Sequence, residues 1–185
     1  MPGSKTETFA ALRFEINSWR WQGVPIYIRA GKCLPLTCTE LVVRLRKLPH
    51  LFPSAPSVPN HFRFRISPDV TIALGMMAQS PCDEMLGEPI EMLARQQTYT
   101  DEMDAYERVL HDAMVGDATL FAREDYVEEA WRIVDPLLKM DTPVYDYEPG
   151  TWGPAQVEEG IVPPGGWHDP VVKTPAAAAS ETHAA

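Results

Sequence analysis

His61-Phe62-Arg63-Phe64-Arg65-Ile66-Ser67, the pair Pro68-Asp69, and Val70-Thr71-Ile72-Ala73-Leu74-Gly75-Met76 decide how the first half of the chain folds. Phe62, Phe64 and Ile66 alternate with Arg63, Arg65 and Ser67, the two-residue period of a strand with one apolar and one polar face. Val70, Ile72, Leu74 and Met76 repeat the pattern. Pro68-Asp69 is a tight-turn pair, so the two segments should form a hairpin. One-sided strands belong to antiparallel or mixed sheets, because parallel strands buried on both faces read as continuous apolar runs.

The same period recurs on either side. Leu12, Phe14 and Ile16 form one set, Val24, Ile26 and Ile28 a second, Leu41, Val43 and Leu45 a third. Ile90, Met92 and Ala94 make a weaker last strand. Gly31 ends the second strand, where a residue free to take positive φ is useful. His50 to Pro59, with Pro53, Pro56 and Pro59, reads as a surface loop.

No proline occurs between Pro89 and Pro136, and there the period lengthens. Tyr106, Val109, Leu110, Ala113 and Met114 fall at helical spacing, with Asp104 placed to cap and Gly116 to stop. Val127, Ala130, Trp131, Val134 and Leu138 predict a second helix. Asp125 is its expected N-cap, with Glu128 completing a capping-box pattern, and Pro136 should kink or end it. After Asp141 the chain should run extended, packing through Tyr145, Tyr147 and Trp152. Strands followed by helices make an α+β layer architecture. The reading is one domain over residues 1–170, with a disordered Ala-rich tail at 171–185.

The 185 residues contain 45% hydrophobic and 23% charged side chains, which excludes a wholly disordered chain. No apolar run is long enough to span a membrane. The net charge is −10. Residues 1–99 balance at +3, with 11 Lys/Arg against 8 Asp/Glu, and residues 100–160 at −12, with 4 against 16. An acidic second half disfavours nucleic acid as a partner. Cys33, Cys38 and Cys82 include no C-x-x-C pair, which fits a reducing cytoplasm better than a disulfide framework. The five histidines are scattered without metal-ligand spacing, so no metal site is expected.

Neither a dinucleotide-binding glycine motif nor a phosphate-binding P-loop is present. Arg29-Ala30-Gly31-Lys32 places two cations around a glycine bend at a strand end. Such a turn can present an ammonium and backbone N–H groups to a phosphate, or simply hold a lysine in solvent.

Longer stretches point to a family. Ser4-Lys5-Thr6-Glu7-Thr8-Phe9-Ala10-Ala11, Trp19-Arg20-Trp21-Gln22-Gly23-Val24-Pro25 and Arg29-Ala30-Gly31-Lys32-Cys33-Leu34-Pro35 resemble consecutive segments of the glucose-6-phosphate dehydrogenase C-terminal domain. Asp104-Ala105-Tyr106-Glu107-Arg108, Glu129-Ala130-Trp131-Arg132-Ile133 with Pro136-Leu137-Leu138, and Gly150-Thr151-Trp152-Gly153-Pro154 follow in the family order. The resemblance implies a large, mainly antiparallel sheet with helices packed on one face, and a homo-oligomer built through that sheet. It also implies oxidation of glucose 6-phosphate to 6-phosphogluconolactone with NADP or NAD as hydride acceptor, at the head of the pentose phosphate pathway. Lys32 stands at the family's sugar-phosphate lysine. Thr37 and Ser67 stand where the family has a second basic residue and a glutamine contact. Arg29, Arg65, Asp104, Tyr106 and Arg108 stand where some members hold a structural NADP. The family's dinucleotide-binding half and its general-base histidine precede the point where this chain begins. No catalytic residue is therefore assigned, and the chain by itself is expected to be inactive. The alternative is a non-catalytic binding or oligomerisation module that partners a separate or full-length chain.

Overall fold

The structure is a computed structural model that describes residues 4, 6–47, 58–80, 87–96 and 104–171. Among these, residues up to Gln96 together with those from Asp146 form one compact unit, and Asp104 to Tyr145 belong to another.

The first unit contains the strands. β1 (Phe9–Glu15) and β2 (Pro25–Gly31) pair antiparallel, with Leu12 opposite Ile28 and Phe14 opposite Ile26. β3 (Thr39–Arg44), β4 (His61–Ser67), β5 (Thr71–Gln79) and β6 (Gly87–Arg95) form a second antiparallel sheet in sequential order. The Pro68-Asp69 hairpin is present between β4 and β5. The six strands thus divide between two sheets among the described residues. The chain leaves the first ladder at Cys33, whose φ of 52° turns it into the left-handed region.

Register sorts the side chains of the four-stranded sheet by chemistry. Val43, Phe62, Leu74 and Met92 lie opposite one another across the strands, as do Leu41, Phe64, Ile72 and Ala94. The alternate rows run Glu40–Arg65–Thr71–Arg95, Val42–Arg63–Ala73–Leu93 and Arg44–His61–Gly75–Glu91. Alternation at period two places these rows on the opposite face.

Burial is the reverse of the usual antiparallel arrangement with apolar side chains inside. Arg63, Arg65, Thr71 and Ala73 are buried, whereas Leu41, Ile66, Ile72 and Met92 are exposed. The cause is the last described segment, residues 161–171, which lies along the charged face. Arg44 Nη1 donates to the Pro164 carbonyl at 2.6 Å, and Arg65 Nη2 donates to the Val171 carbonyl at 2.8 Å. Val171 opens the stretch expected to be a disordered tail; residues 172–185 lie outside the described residues, as do Cys82 and most of the His50–Pro59 loop. α3 (Gln156–Gly160) is a short turn of helix that interrupts the expected extended segment just after Pro154.

The second unit holds α1 (Ala105–Val115) and α2 (Glu124–Leu138). Asp104 caps α1 by accepting from the Tyr106 N–H, and Gly116 ends it at φ 75°. α2 departs from expectation at both ends. Its N-cap is Arg123, without a side-chain cap; Asp125 sits inside the first turn, where it pairs with Arg123 and accepts the Tyr126 N–H at 2.9 Å. Pro136 neither ends nor precedes the end by a full turn: the helix runs on to Leu138. Inside the last turns the proline removes the backbone bond to the Arg132 carbonyl and crowds that carbonyl with its ring, yet the helix continues two residues past it.

Candidate functional site

Lys32 follows β2 directly, on an exposed turn. Its main chain is tied on both sides. The Lys32 N–H donates to the Thr8 carbonyl at 2.8 Å, and the Lys32 carbonyl accepts from the Tyr147 hydroxyl at 2.6 Å. The next carbonyl, of Cys33, accepts from the Gly150 N–H at 2.8 Å. The side chain of Lys32 makes no ion pair with any described residue. The result is a fixed backbone carrying a solvent-facing ammonium, a suitable receptor for a phosphate.

Gly31 takes part for a different reason from the expected one. Its φ is not positive. A Cβ there would stand 2.7 Å from Phe9 Cδ2, so glycine is required by close approach of a ring. The same ring fills the space beside Gly153, which does have a left-handed φ of 110° and whose Cβ would meet Phe9 at 2.4 Å. Phe9 in turn lies 5.5 Å from the Tyr147 ring.

Arg29, on the strand leading to Lys32, is buried. Its guanidinium carbon lies 4.6 Å from the centre of the Trp152 ring and 4.9 Å from that of Trp167. Its Nη2 pairs with Asp169 at 2.6 Å. Arg65 donates from Nε to Glu40 at 2.8 Å and from Nη2 to Val171. Glu40, whose side chain is only 2% exposed, also receives Arg63 at 3.3 Å and faces His168 Nε2 at 2.8 Å. Arg63 has a second partner in Glu91 at 2.7 Å. Burial works against the Arg63 charge, but the hydrogen bonds and charges of Glu91 and Glu40 outweigh it and hold its pKa above the ordinary value. Burial pushes the nearby Cys38 thiol up, and the Glu40 charge adds to this while Arg65 opposes it.

Arg29 and Arg65 therefore both reach residues 168–171, Arg29 through Nη2 to the His168 carbonyl and Asp169, Arg65 through Nη2 to the Val171 carbonyl. Asp104, Tyr106 and Arg108 lie in the second unit, where Asp104 is the α1 cap, Tyr106 is exposed and the Arg108 N–H donates to the Asp104 carbonyl. Ser67 is the β4 residue opposite Thr39.

Of the described histidines, His61 lies flat against Gly75, whose absent Cβ leaves room for the ring, and His168 is engaged by Glu40. His111 is on exposed α1. Among the described residues no cluster could hold a metal ion, and no helix is long and apolar enough to cross a membrane. A hollow of about 230 Å³ beside His61, Gly75, Met77 and Glu91 contains none of the candidate residues.

Sequence reasoning missed Glu40 and Tyr147. Both act across the chain, His168 to Glu40 over 128 residues and Tyr147 to Lys32 over 115. The sequence offered Tyr147 only as a packing residue, and the segments Ser4–Ala11, Arg29–Pro35 and Gly150–Pro154 that carry the resemblance do not include Glu40 or Tyr147.

Fold and site together define an α+β domain of antiparallel sheets that presents one lysine on a braced strand-end turn. Residues 1–167 match the family model described as "Glucose-6-phosphate dehydrogenase, C-terminal domain". The chain is 43% identical over 172 residues to a glucose-6-phosphate 1-dehydrogenase of Aggregatibacter actinomycetemcomitans, covering 89% of this chain and 34% of that protein. It is 40% identical over 181 residues to glucose-6-phosphate 1-dehydrogenase 1 of Mycobacterium bovis, covering 90% and 36%. The crystal structure of glucose-6-phosphate 1-dehydrogenase from Mycobacterium avium superposes with a TM-score of 0.80 at 38% identity, over 93% of this chain and 37% of that one. A glucose-6-phosphate dehydrogenase in complex with its substrate glucose 6-phosphate gives 0.63 at 30% identity, over 82% and 33%. The chain belongs to the glucose-6-phosphate dehydrogenase family, as its C-terminal domain, and spans about a third of the length of the curated relatives it matches.

Proposed function

We propose that this chain is the substrate-binding and oligomerisation domain of a glucose-6-phosphate dehydrogenase, with Lys32 receiving the phosphate of glucose 6-phosphate. The observation that carries the proposal is the exposed ammonium on a turn whose backbone is held by Thr8, Tyr147 and Gly150. In the whole enzyme C1 of the sugar would be oxidised to the lactone, with hydride passing to NADP. Lys32 binds and orients; the described histidines are packed, paired or on a helix surface, and none is assigned as the base. The chain alone is therefore expected not to turn over. Free Cys33 and Cys38 suit a reducing cytoplasm.

The apolar face of the four-stranded sheet supports the oligomerisation role. Among the described residues Leu41, Val43, Ile72 and Met92 are left exposed, and contiguous apolar surface of this kind marks an interaction site. A second copy presenting the same face is the proposed partner.

The experiment is a titration of the ¹⁵N-labelled chain with glucose 6-phosphate, followed at the Lys32 and Cys33 amides. Saturable shifts that vanish in Lys32→Ala are expected; identical shifts in both proteins would return Lys32 to an ordinary solvent-facing lysine. Light scattering tests the second role: a strict monomer that ignores the ligand refutes both roles. Formation of NADPH by the chain alone would refute its expected inactivity.

A further inference from the structure

We infer that Tyr147 is a positioning residue for Lys32, one that sets where the lysine ammonium stands by holding the main chain beneath it. The inference rests on Lys32 being the phosphate-binding residue and adds a second residue to that site.

The geometry gathers the Tyr147 hydroxyl, the Thr8 carbonyl and both backbone groups of Lys32 in one place. The Tyr147 hydroxyl donates to the Lys32 carbonyl at 2.6 Å and lies 3.2 Å from the Thr8 carbonyl. That Thr8 carbonyl also accepts the Lys32 N–H at 2.8 Å. Both backbone groups of Lys32 are thereby referred to the same two residues. One hydroxyl has one proton, and the shorter distance assigns it to Lys32.

The Tyr147 ring is itself held. Phe9 packs on it at 5.5 Å, and Phe9 sits in space that exists only because residues 31 and 153 are glycine. The turn needs this support because Cys33, the residue after the lysine, carries a φ of 52° that a side chain rarely adopts. A lysine ammonium is a point charge on a flexible four-carbon stem, so it brings no directionality of its own. Its usefulness depends on where its Cα is fixed. Deleting the Tyr147 hydroxyl frees the carbonyl on one side of that Cα and leaves the charge intact.

The test uses the 185-residue chain in four forms: unaltered, Tyr147→Phe, Lys32→Ala, and both together. Each is titrated with glucose 6-phosphate and with glucose, at a temperature where thermal scans show it folded. Tyr147→Phe retains the ring against Phe9, so the fold should hold. Loss of one neutral hydrogen bond predicts roughly three- to tenfold weaker binding of glucose 6-phosphate. Glucose binding should be unchanged, and the double variant should be no weaker than Lys32→Ala alone, the coupling expected of a residue that acts through another. Full affinity in Tyr147→Phe overturns the inference. So does an equal loss in the Lys32→Ala background, which would give Tyr147 a merely structural role. If Lys32→Ala itself binds as tightly as the unaltered chain, the underlying reading of Lys32 fails, and that result is distinct from the other two.

Discussion

Replacing Glu40 by glutamine should unfasten residues 161–171 from the sheet. Glu40 is a carboxylate with a 2% exposed side chain that serves Arg65 at 2.8 Å, Arg63 at 3.3 Å and His168 at 2.8 Å. The net worth of such a network is small, because desolvation offsets much of the attraction, but removing one partner leaves the others buried and uncompensated. Arg63 retains Glu91 at 2.7 Å, so its loss is partial. Arg65, 8% exposed, retains only a carbonyl at Val171 among its described partners. A glutamine still offers one acceptor. The expected cost lies at the lower end for a broken buried pair, about 3 kcal/mol, which in a chain of this size lowers the melting temperature by about 6–12 °C. Urea unfolding followed by tryptophan fluorescence measures it, since Trp167 lies in the fastened segment and hydrogen-bonds the Ile161 carbonyl. A second readout is independent of unfolding. The Glu40 charge helps raise the Cys38 pKa, so the variant thiol should alkylate faster at a given pH. A loss below about 1 kcal/mol, the range of exposed ion pairs, together with unchanged Cys38 reactivity, would refute the claim that Glu40 organises a buried network.

Three further outcomes follow from the same packing. Arg29→Lys removes the planar group between Trp152 and Trp167 while keeping the charge for Asp169; a stability loss of about 1–2 kcal/mol in chemical denaturation is expected. Gly153→Ala must place a Cβ 2.4 Å from Phe9 at a φ of 110°, so a loss of about 2–4 kcal/mol should appear as a clear drop in melting temperature. Cys38 keeps its proton in the folded chain above its ordinary pKa of 9.0. The unfolded chain therefore binds fewer protons in that range, and this contribution to stability falls as pH rises past 9.0. Paired melts of the unaltered chain and Cys38→Ala between about pH 8 and 10.5, from roughly one unit below that ordinary value to roughly one and a half above it, should diverge with that sign.

The strands and their faces were legible because alternation is a local property. Phe62, Phe64 and Ile66 against Arg63 and Arg65 need no knowledge of the rest of the chain, and Pro68-Asp69 supplies the hairpin. Asp104 and Gly116 were legible for the same reason, since a helix end is satisfied by residues within a turn of it. The start of α2 was misread because Asp125 has two local uses. From inside the first turn it pairs bidentately with Arg123, Nε at 3.1 Å and Nη2 at 2.7 Å, and also accepts the Tyr126 N–H. The one site residue that a local pattern offers is Lys32, in Arg29-Ala30-Gly31-Lys32. A glutamate within Thr39-Glu40-Leu41 has the same sequence appearance whether solvated or buried. Its burial depends on a segment more than a hundred residues away.

That dependence also explains why alternation found both faces of the sheet but could not say which is inside. A row of arginines on a strand is normally the solvated side. Here Arg44, Arg63 and Arg65 face a segment supplied by the same chain, whose carbonyls and His168 meet the guanidiniums or their glutamate partner. A covalently attached cover must give up less freedom than an independent partner, so it can satisfy a charged surface that would be costly to dock against in solution. The apolar rows through Phe62 and Phe64 need no such matching of donors to acceptors. They suit a partner that arrives separately and gains from removing apolar area from water. With the proposed second copy on the apolar face, the division of labour between the faces would follow from how each cover is delivered. It predicts that unfastening residues 161–171, as in Glu40→Gln, weakens the fold of the unit directly and affects oligomerisation only through it.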